Sequence, residues 1–318
     1  MEEASGEENR KLALMRFTLG SPCALEIEQS VADGLVRAME IILEMVSVEQ
    51  KFSIIMENFL EFEQEIASTV LRDAYFSSQS AQEFFDAKQA FNRRALNILT
   101  AVRLYHDQSH SHVRVIFPDE PERWGELKRA FSEEYDQYLS YRTMEALRNY
   151  AQHRGLPIQG LTMGSRWLDS QTPASRLEFN AATNIIISEL ESDSKFKKSV
   201  LEELRQVGGS KGVVDVRPMV REYIQSIASV HEKFRGMSDP LVEESLSLVE
   251  EWKGKYKKHC PSTEQSSIAV GWQYENRSRE RIAYLNDEQI SQLAILRGRT
   301  RSNVNLAKRF VTTAPYQR

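Results

Sequence analysis

Three groups of residues have the types and spacing to do chemistry. The first is Arg148-Asn149-x3-His153, near the end of the run YRTMEALRNYAQHRG. On a helix turning about 100° per residue, Met144, Leu147 and Ala151 fall within about 60° of one another and define a core face. Asn149 and His153, four apart, stack on one ridge pointing almost opposite to it. Arg148 lies between the two, and its long stem can swing either way. His153 is therefore expected to face solvent or a second subunit, in the last turn before Gly155, where the helix dipole favours an imidazolium by about 0.3–1 kcal/mol. An imidazole titrating near neutrality beside the guanidinium groups of Arg148, Arg154 and Arg142 suits a phosphodiester. Arginine binds the phosphate, and histidine moves the proton. The same arginines repel the imidazolium, so the two effects compete.

The second group is His106-x3-His110-x-His112. It could hold a divalent cation if the helix ran through His110. Ser109, Ser111 and Pro118 argue for a loop instead, and Asp107 is the carboxylate close by, so no metal is expected here. The third is His259-Cys260, just before Pro261. A nucleophilic cysteine needs a base placed by the fold, and Cys260 reads as an ordinary surface or partly buried thiol. Its one companion, Cys23, cannot make a disulfide framework with it, and no C-x-x-C occurs. Phosphate-loop, dinucleotide-binding, zinc-protease, serine-hydrolase and EF-hand signatures are absent, so no cofactor is expected.

The elements that must position these residues are mostly helices. Apolar spacing is helical over residues 25–72 (Val36, Met39, Ile42, Met45, Val46, then Phe52, Ile55, Phe59, Phe62, Ile66), with a break expected at 47–49. Ser80 is a candidate N-cap for a helix running to His106, with Phe84, Ala87, Phe91, Ala95, Ile98, Val102 and Tyr105 as its buried stripe. A His- and Pro-rich loop should follow. The next helix is expected over 122–154, stopped by Gly155 and Pro157. Within it the apolar face shifts by about half a turn between Tyr138 and Met144, which implies a break or a helix covered on both sides. Residues 155–188 read as a β-hairpin, and helices resume over 193–207, 215–235 and 239–257. A short strand is expected in IAVGWQYE, followed by a basic stretch containing LRGRTRSN.

Composition bounds the rest. The 318 residues, 41% hydrophobic and 27% charged, are ordinary for a globular chain with a sizeable core. No apolar run approaches about 18 residues, so no membrane span is expected. The start, MEEASGEENR, has no apolar core of the kind a secretory signal needs, and a cytoplasmic protein is expected. The net charge of −5 hides an asymmetry: from Gly271 to Arg318 nine Lys and Arg face four Asp and Glu. A basic end on an acidic body points to an anionic partner.

Arg148-Asn149-x3-His153 resembles the R-x4-H signature, in its RN-x3-H form, of the HEPN superfamily. Helix FNRRALNILTAVRLYHDQ, a loop, then YRTMEALRNYAQHRGLP is similar to the two long helices of HEPN domains in bacterial proteins, and the likeness spans about residues 36–157. Arg103 and His110 satisfy a wider form of the same spacing. The resemblance implies a mainly α fold: a HEPN-like helical core over 11–157 after a disordered 1–10, an inserted hairpin at 158–188, further helices on the same bundle over 189–260, and a basic extension over 261–318. It further implies a metal-independent endoribonuclease of toxin or antiphage-defence type, working as a homodimer and sometimes with an antitoxin or defence-system partner. Arg148 would hold the scissile phosphate, His153 would transfer the proton, and Asn149 would orient His153 or bind RNA. Further RNA contacts would fall to Arg142, Arg154, Arg93 and Arg103, with Asn92 another polar group on the preceding helix. Arg297, Arg299 and Arg301 would add electrostatic attraction. The alternative is a non-catalytic scaffold in which the same trio forms a hydrogen-bond network at a dimer interface.

Overall fold

The computed structural model describes residues 10–17, 23–76, 80–168, 175–261, 268–274, 279–299, 305–309 and 311. Among these the protein is mainly helical. The order is β1 (Arg10–Arg16), β2 (Ala24–Glu26), α1 (Gln29–Tyr75), α2 (Ala81–Ile116), α3 (Pro121–Gln137), α4 (Leu139–His153), β3 (Gly160–Leu168), β4 (Arg176–Ile186), α5 (Ile187–Glu191), α6 (Lys198–Gly208), β5 (Val213–Asp215), α7 (Val216–His259), β6 (Ile268–Tyr274), β7 (Arg279–Tyr284) and α8 (Asp287–Arg299). The chain forms two compact units: Met1–Gln50, Ser109–Trp124 and Phe234–Arg301 make the first, and Lys51–Gln108, Gly125–Lys233 and Ser302–Arg318 the second. Helices α1, α2, α3 and α7 each contribute to both.

The first unit contains a fully antiparallel sheet of order β2-β1-β6-β7. Leu12 to Met15 in β1 and Ile268 to Gly271 in β6 are buried without alternation. That is the pattern of central strands covered on both faces. A bulge lies between Val270 and Gly271. A Cβ at Gly271 would collide with the Glu280 carbonyl, so the bulge requires glycine. Leu35, Met39 and Ile42 of α1, Val113 and Ile116 of α2, Phe234 and Val249 of α7 and Leu293 of α8 complete this core. Arg37 caps α2 by donating from Nη2 to the Val115 and Ile116 carbonyls, both at 2.7 Å.

The second unit contains the sheet β3-β4-β5, whose hairpin pairs Gly160 with Asn184 through to Leu168 with Arg176. Its helical core uses Phe52, Phe62, Phe91, Ile98, Val102, Tyr141, Leu147 and the α7 stripe Val220, Tyr223, Ile224, Ile227 and Val230. His231 is buried here too, stacked on Phe52 at 3.9 Å and hydrogen-bonded through Nδ1 to the Tyr105 hydroxyl at 3.0 Å.

Helix extents differ from the sequence expectation in instructive ways. Helix α1 continues through 47–49, because Met45, Val46, Val48 and Glu49 are all buried and packing holds the segment helical. Helix α2 runs ten residues beyond His106, since Ser109, Val113 and Ile116 continue its buried face. Ser80 does cap it, with Oγ accepting the Glu83 N–H at 3.1 Å while the Glu83 carboxylate accepts the Ser80 N–H at 3.0 Å. Phe84, placed in the buried stripe, is exposed. The helix expected over 122–154 is two, separated at Tyr138 in extended conformation, and this break accounts for the shifted face. The helices expected at 215–235 and 239–257 are one. Pro240 lies inside α7, flanked by buried Met237, Ser238 and Val242, with Ser238 Oγ donating to the Phe234 carbonyl. The hairpin and the IAVGWQYE strand form as expected, whereas β1, which starts at Arg10, gave no sequence signal that was read.

Candidate functional site

Everything in the candidate site lies within the second unit. Helix α4 buries Tyr141, Met144, Leu147 and Tyr150 and leaves Asn149, Gln152, His153 and Arg154 exposed. Two devices fix its ends. At the start, Arg142 Nη1 donates to the Tyr135 and Asp136 carbonyls at the end of α3 (3.0 and 2.6 Å), and Nη2 reaches Glu203 at 2.6 Å. At the end, the amides of Arg154 and Gly155 both donate to the Tyr150 carbonyl. The connection onward is clamped by Asn92, fully buried on α2. Its Nδ2 donates to the Ile158 carbonyl and its Oδ1 accepts the Ile158 N–H, both at 2.9 Å.

His153 and Asn149 line a cavity of about 120 Å³ with Tyr135, Arg142, Glu145, Asp193, Lys195 and Lys197. Its charges divide into engaged and unengaged. Glu145 accepts from the Tyr223 hydroxyl at 2.7 Å and pairs with Arg148 at 3.5 Å. Asp193 pairs with Arg154 at 3.4 Å and accepts the Lys195 N–H at 3.1 Å. Arg142 is held by Glu203, and Lys197 donates to the Tyr135 hydroxyl. The Lys195 ammonium and the His153 imidazole, both exposed, have no hydrogen bond or ion pair among the described residues. Lys195 and Lys197 lead directly into α6, whose N-terminus carries no side-chain cap and presents the positive end of a helix dipole. Burial, then the charge of Glu145, pushes the Tyr223 and Tyr141 hydroxyls well above the ordinary tyrosine range. Both stay protonated and neither can act as a base. Burial also raises Tyr150, with Glu189 and Asp193 adding to the effect.

Arg148 sits elsewhere. It lines a second cavity of about 440 Å³ with Thr100, Arg103, Asp107, Gln108 and Gln152. Its guanidinium donates to Asn149 Oδ1 at 2.8 Å and to Gln152 Oε1 at 3.2 Å. Arg103 is paired with Asp107 at 2.7 Å. Five residues along a helix turn through about 140°, so Arg148 and His153 open onto different cavities with Asn149 as the link between them. Arg93 is exposed beside a further hollow with Leu156, and Arg154 is exposed but paired with Asp193.

Arg297 is part of an ion cluster in the first unit, 3.4 Å from fully buried Glu49 and 2.9 Å from Asp239. Arg299 ends α8 and has an interaction of its own, and Arg301 lies outside the described residues. The three histidines of α2 do not converge. His106 packs on Phe131 and meets Asp107, His110 projects one turn later, and His112 is bonded to Glu44. Cys260 is not a free thiol: it is disulfide-bonded to Cys23 within the first unit. Two residues of the cavity, Lys195 and Lys197, lie in the segment leading into α6 and are outside the candidates that the sequence motifs supply. The signal available was the short cationic run KFKK directly before a helix start. Comparison with family models, with curated proteins and with solved structures gave no match for this chain. No described helix is long and apolar enough to cross a membrane.

Proposed function

We propose that this chain is a HEPN-like, metal-independent endoribonuclease that acts as a dimer in the cytoplasm, in a toxin or antiphage-defence role. The observation that carries the reading is the cavity in which an unengaged imidazole, His153, and an unengaged ammonium, Lys195, stand beside the uncapped start of α6. Its two acids are already engaged, Glu145 by Arg148 and the Tyr223 hydroxyl, Asp193 by Arg154. A phosphodiester seated there would be held by Lys195 and the α6 amides, with Asn149 hydrogen-bonding it. His153 would take the proton from the RNA 2′-hydroxyl; attack of that oxygen on phosphorus would break the P–O5′ bond, leaving a 2′,3′-cyclic phosphate and a 5′-hydroxyl that takes its proton from water. Arg148 enters through the second copy: its cavity would meet His153 of the partner, so that each composite site draws on both chains.

A second reading rests on Arg148 itself, whose side chain is 16% exposed and bonded along its own helix. That arrangement suits a scaffold in which the trio stiffens α4. One experiment separates the two. Wild type, His153→Ala, Arg148→Ala and Lys195→Ala are incubated with total RNA in EDTA, and the ends are analysed. Cyclic-phosphate ends that vanish with His153→Ala, and return in part when the Arg148→Ala and His153→Ala chains are mixed, support the shared nuclease site. Absence of cleavage by a folded, dimeric wild type favours the scaffold.

A further inference from the structure

Far from α4 in sequence, the first unit brings together a cluster with its own chemistry. Cys23 directly precedes β2, and His259 and Cys260 close α7. One donor atom from each of Cys23, His259 and Cys260 lies within 4.8 Å of the others. Both backbones are anchored. Ala24 is paired with Met15 of β1, and the Cys260 N–H donates to the carbonyl of buried Tyr256 at 2.8 Å. The sulfurs are joined across a Cα–Cα distance of 6.0 Å, Cys260 is buried, and His259 is exposed, leaving an approach from solvent on the imidazole side.

We propose that reduction of this disulfide turns Cys23, Cys260 and His259 into a three-ligand site for Zn²⁺ or a cation of similar softness. Two thiolates and one imidazole are the donor set such a cation prefers. Tetrahedral bonds of about 2.3 Å to sulfur and 2.0–2.1 Å to nitrogen place ligand atoms roughly 3.5–3.8 Å apart, inside the spread of the present donors. Location adds a reason. At the C-terminus of a 44-residue helix the dipole opposes a bare thiolate and favours a cation. Bonded sulfur and metal-bound sulfur both satisfy that field. The chemistry balances with a dithiol as reductant: it loses two electrons and forms its own S–S bond, and the Cys23–Cys260 bond breaks with one proton taken up by each sulfur. Cation binding then releases those two protons to solvent, and water completes the fourth position. Oxidation closes the site by consuming two of its three ligands.

The test titrates Co²⁺, a spectroscopic stand-in for Zn²⁺, into the full chain after anaerobic reduction and removal of the reductant. The expected result is one equivalent bound with a thiolate-to-cobalt charge-transfer band, bleached by Zn²⁺, and no band from the oxidised chain. Cys23→Ser and Cys260→Ser abolish the band. His259→Ala weakens binding by roughly 100-fold or more, the upper end of what outer-sphere changes cost. A reduced chain that shows no such band, a band indifferent to Cys23→Ser, or a chain whose helical circular dichroism collapses on reduction would each overturn the proposal.

Discussion

Glu49 is 1% exposed, and its carboxylate accepts from Arg235 Nε and Nη2 at 2.7 and 2.5 Å while Arg297 approaches to 3.4 Å. Glu49→Ala removes an anion that both guanidinium groups share, taking from Arg235, whose side chain is 20% exposed, its bidentate carboxylate. Breaking a buried pair from one side costs about 3–5 kcal/mol. Arg297 also holds Asp239 and is less buried, so Arg297→Met should cost only about 1–2 kcal/mol, between the exposed and buried limits. The assay follows from where the tryptophans lie. Trp124, Trp252 and Trp272 belong to the first unit and Trp167 to the second. In a Trp167→Phe background, fluorescence therefore reports the unit that contains Glu49. With a urea dependence of about 3 kcal/mol/M, Glu49→Ala should lower the midpoint by roughly 1–1.7 M. The Glu49→Met/Arg235→Met pair should recover much of that loss, with a coupling above about 2 kcal/mol. A Glu49→Ala midpoint within about 0.3 M of its parent would refute the reasoning.

Asn92→Ala strips both hydrogen bonds from the buried Ile158 peptide groups and should destabilise the second unit by about 2–4 kcal/mol, read by circular dichroism in urea; a change under about 1 kcal/mol would show that the clamp is dispensable. Glu134 has its carboxyl raised from 4.5, first by burial, against opposing effects of Ser226 and Lys233. The folded chain then holds this proton to higher pH than the unfolded chain, so stability falls as pH rises through the window between 4.5 and the raised value, and the full cost is present above that window. Glu134→Gln should therefore exceed wild type in stability above that window and converge with it in acid, and a difference that stays constant across the titration would exclude this account. Gly271→Ala should displace β7 from β6 and lower the first unit's stability by about 1–3 kcal/mol in the same fluorescence assay, whereas a neutral result would mean that the bulge can relax.

Helices were legible where one apolar stripe faces one core, as in α7, where Val220, Tyr223, Ile224, Ile227 and Val230 are all buried. Several of their ends were not, because tertiary packing overrides local stop signals. Ser109 and Ser111 look like loop residues, yet Ser109 is buried on a helix that Val113 and Ile116 continue. Pro240 falls at the start of the helix expected over 239–257, yet α7 runs straight through it, forfeiting a single backbone bond where Met237, Ser238 and Val242 are buried. Strand β1 escaped notice because four consecutive buried residues do not alternate, and a central strand covered on both faces has no period to detect. Pairing at a distance was illegible in principle: nothing local joins Cys23 to Cys260 or Arg297 to Glu49 across 237 and 248 positions.

The site shows where helical arithmetic succeeds and where it stops. Periodicity alone places Asn149 and His153 on one exposed ridge, and both line one cavity. It left Arg148 free to swing, and the side chain settles on Gln152 and Asn149, toward α2. An arginine five positions before a histidine is turned away by about 140°, farther than a single helix face extends. A reaction that uses both groups at one phosphate therefore needs a second copy of α4. A single chain acting alone would have to hold phosphate with Lys195 and the start of α6. Lys195→Ala distinguishes these routes through the salt dependence of RNA binding. If Lys195 contacts phosphate, the slope of log affinity against log salt falls by about 0.7–0.9, the release of one counterion, while Arg148→Ala leaves the slope of an isolated chain unchanged. An unchanged slope in Lys195→Ala would place the anion outside this cavity and leave the composite site to the arginines around Arg148.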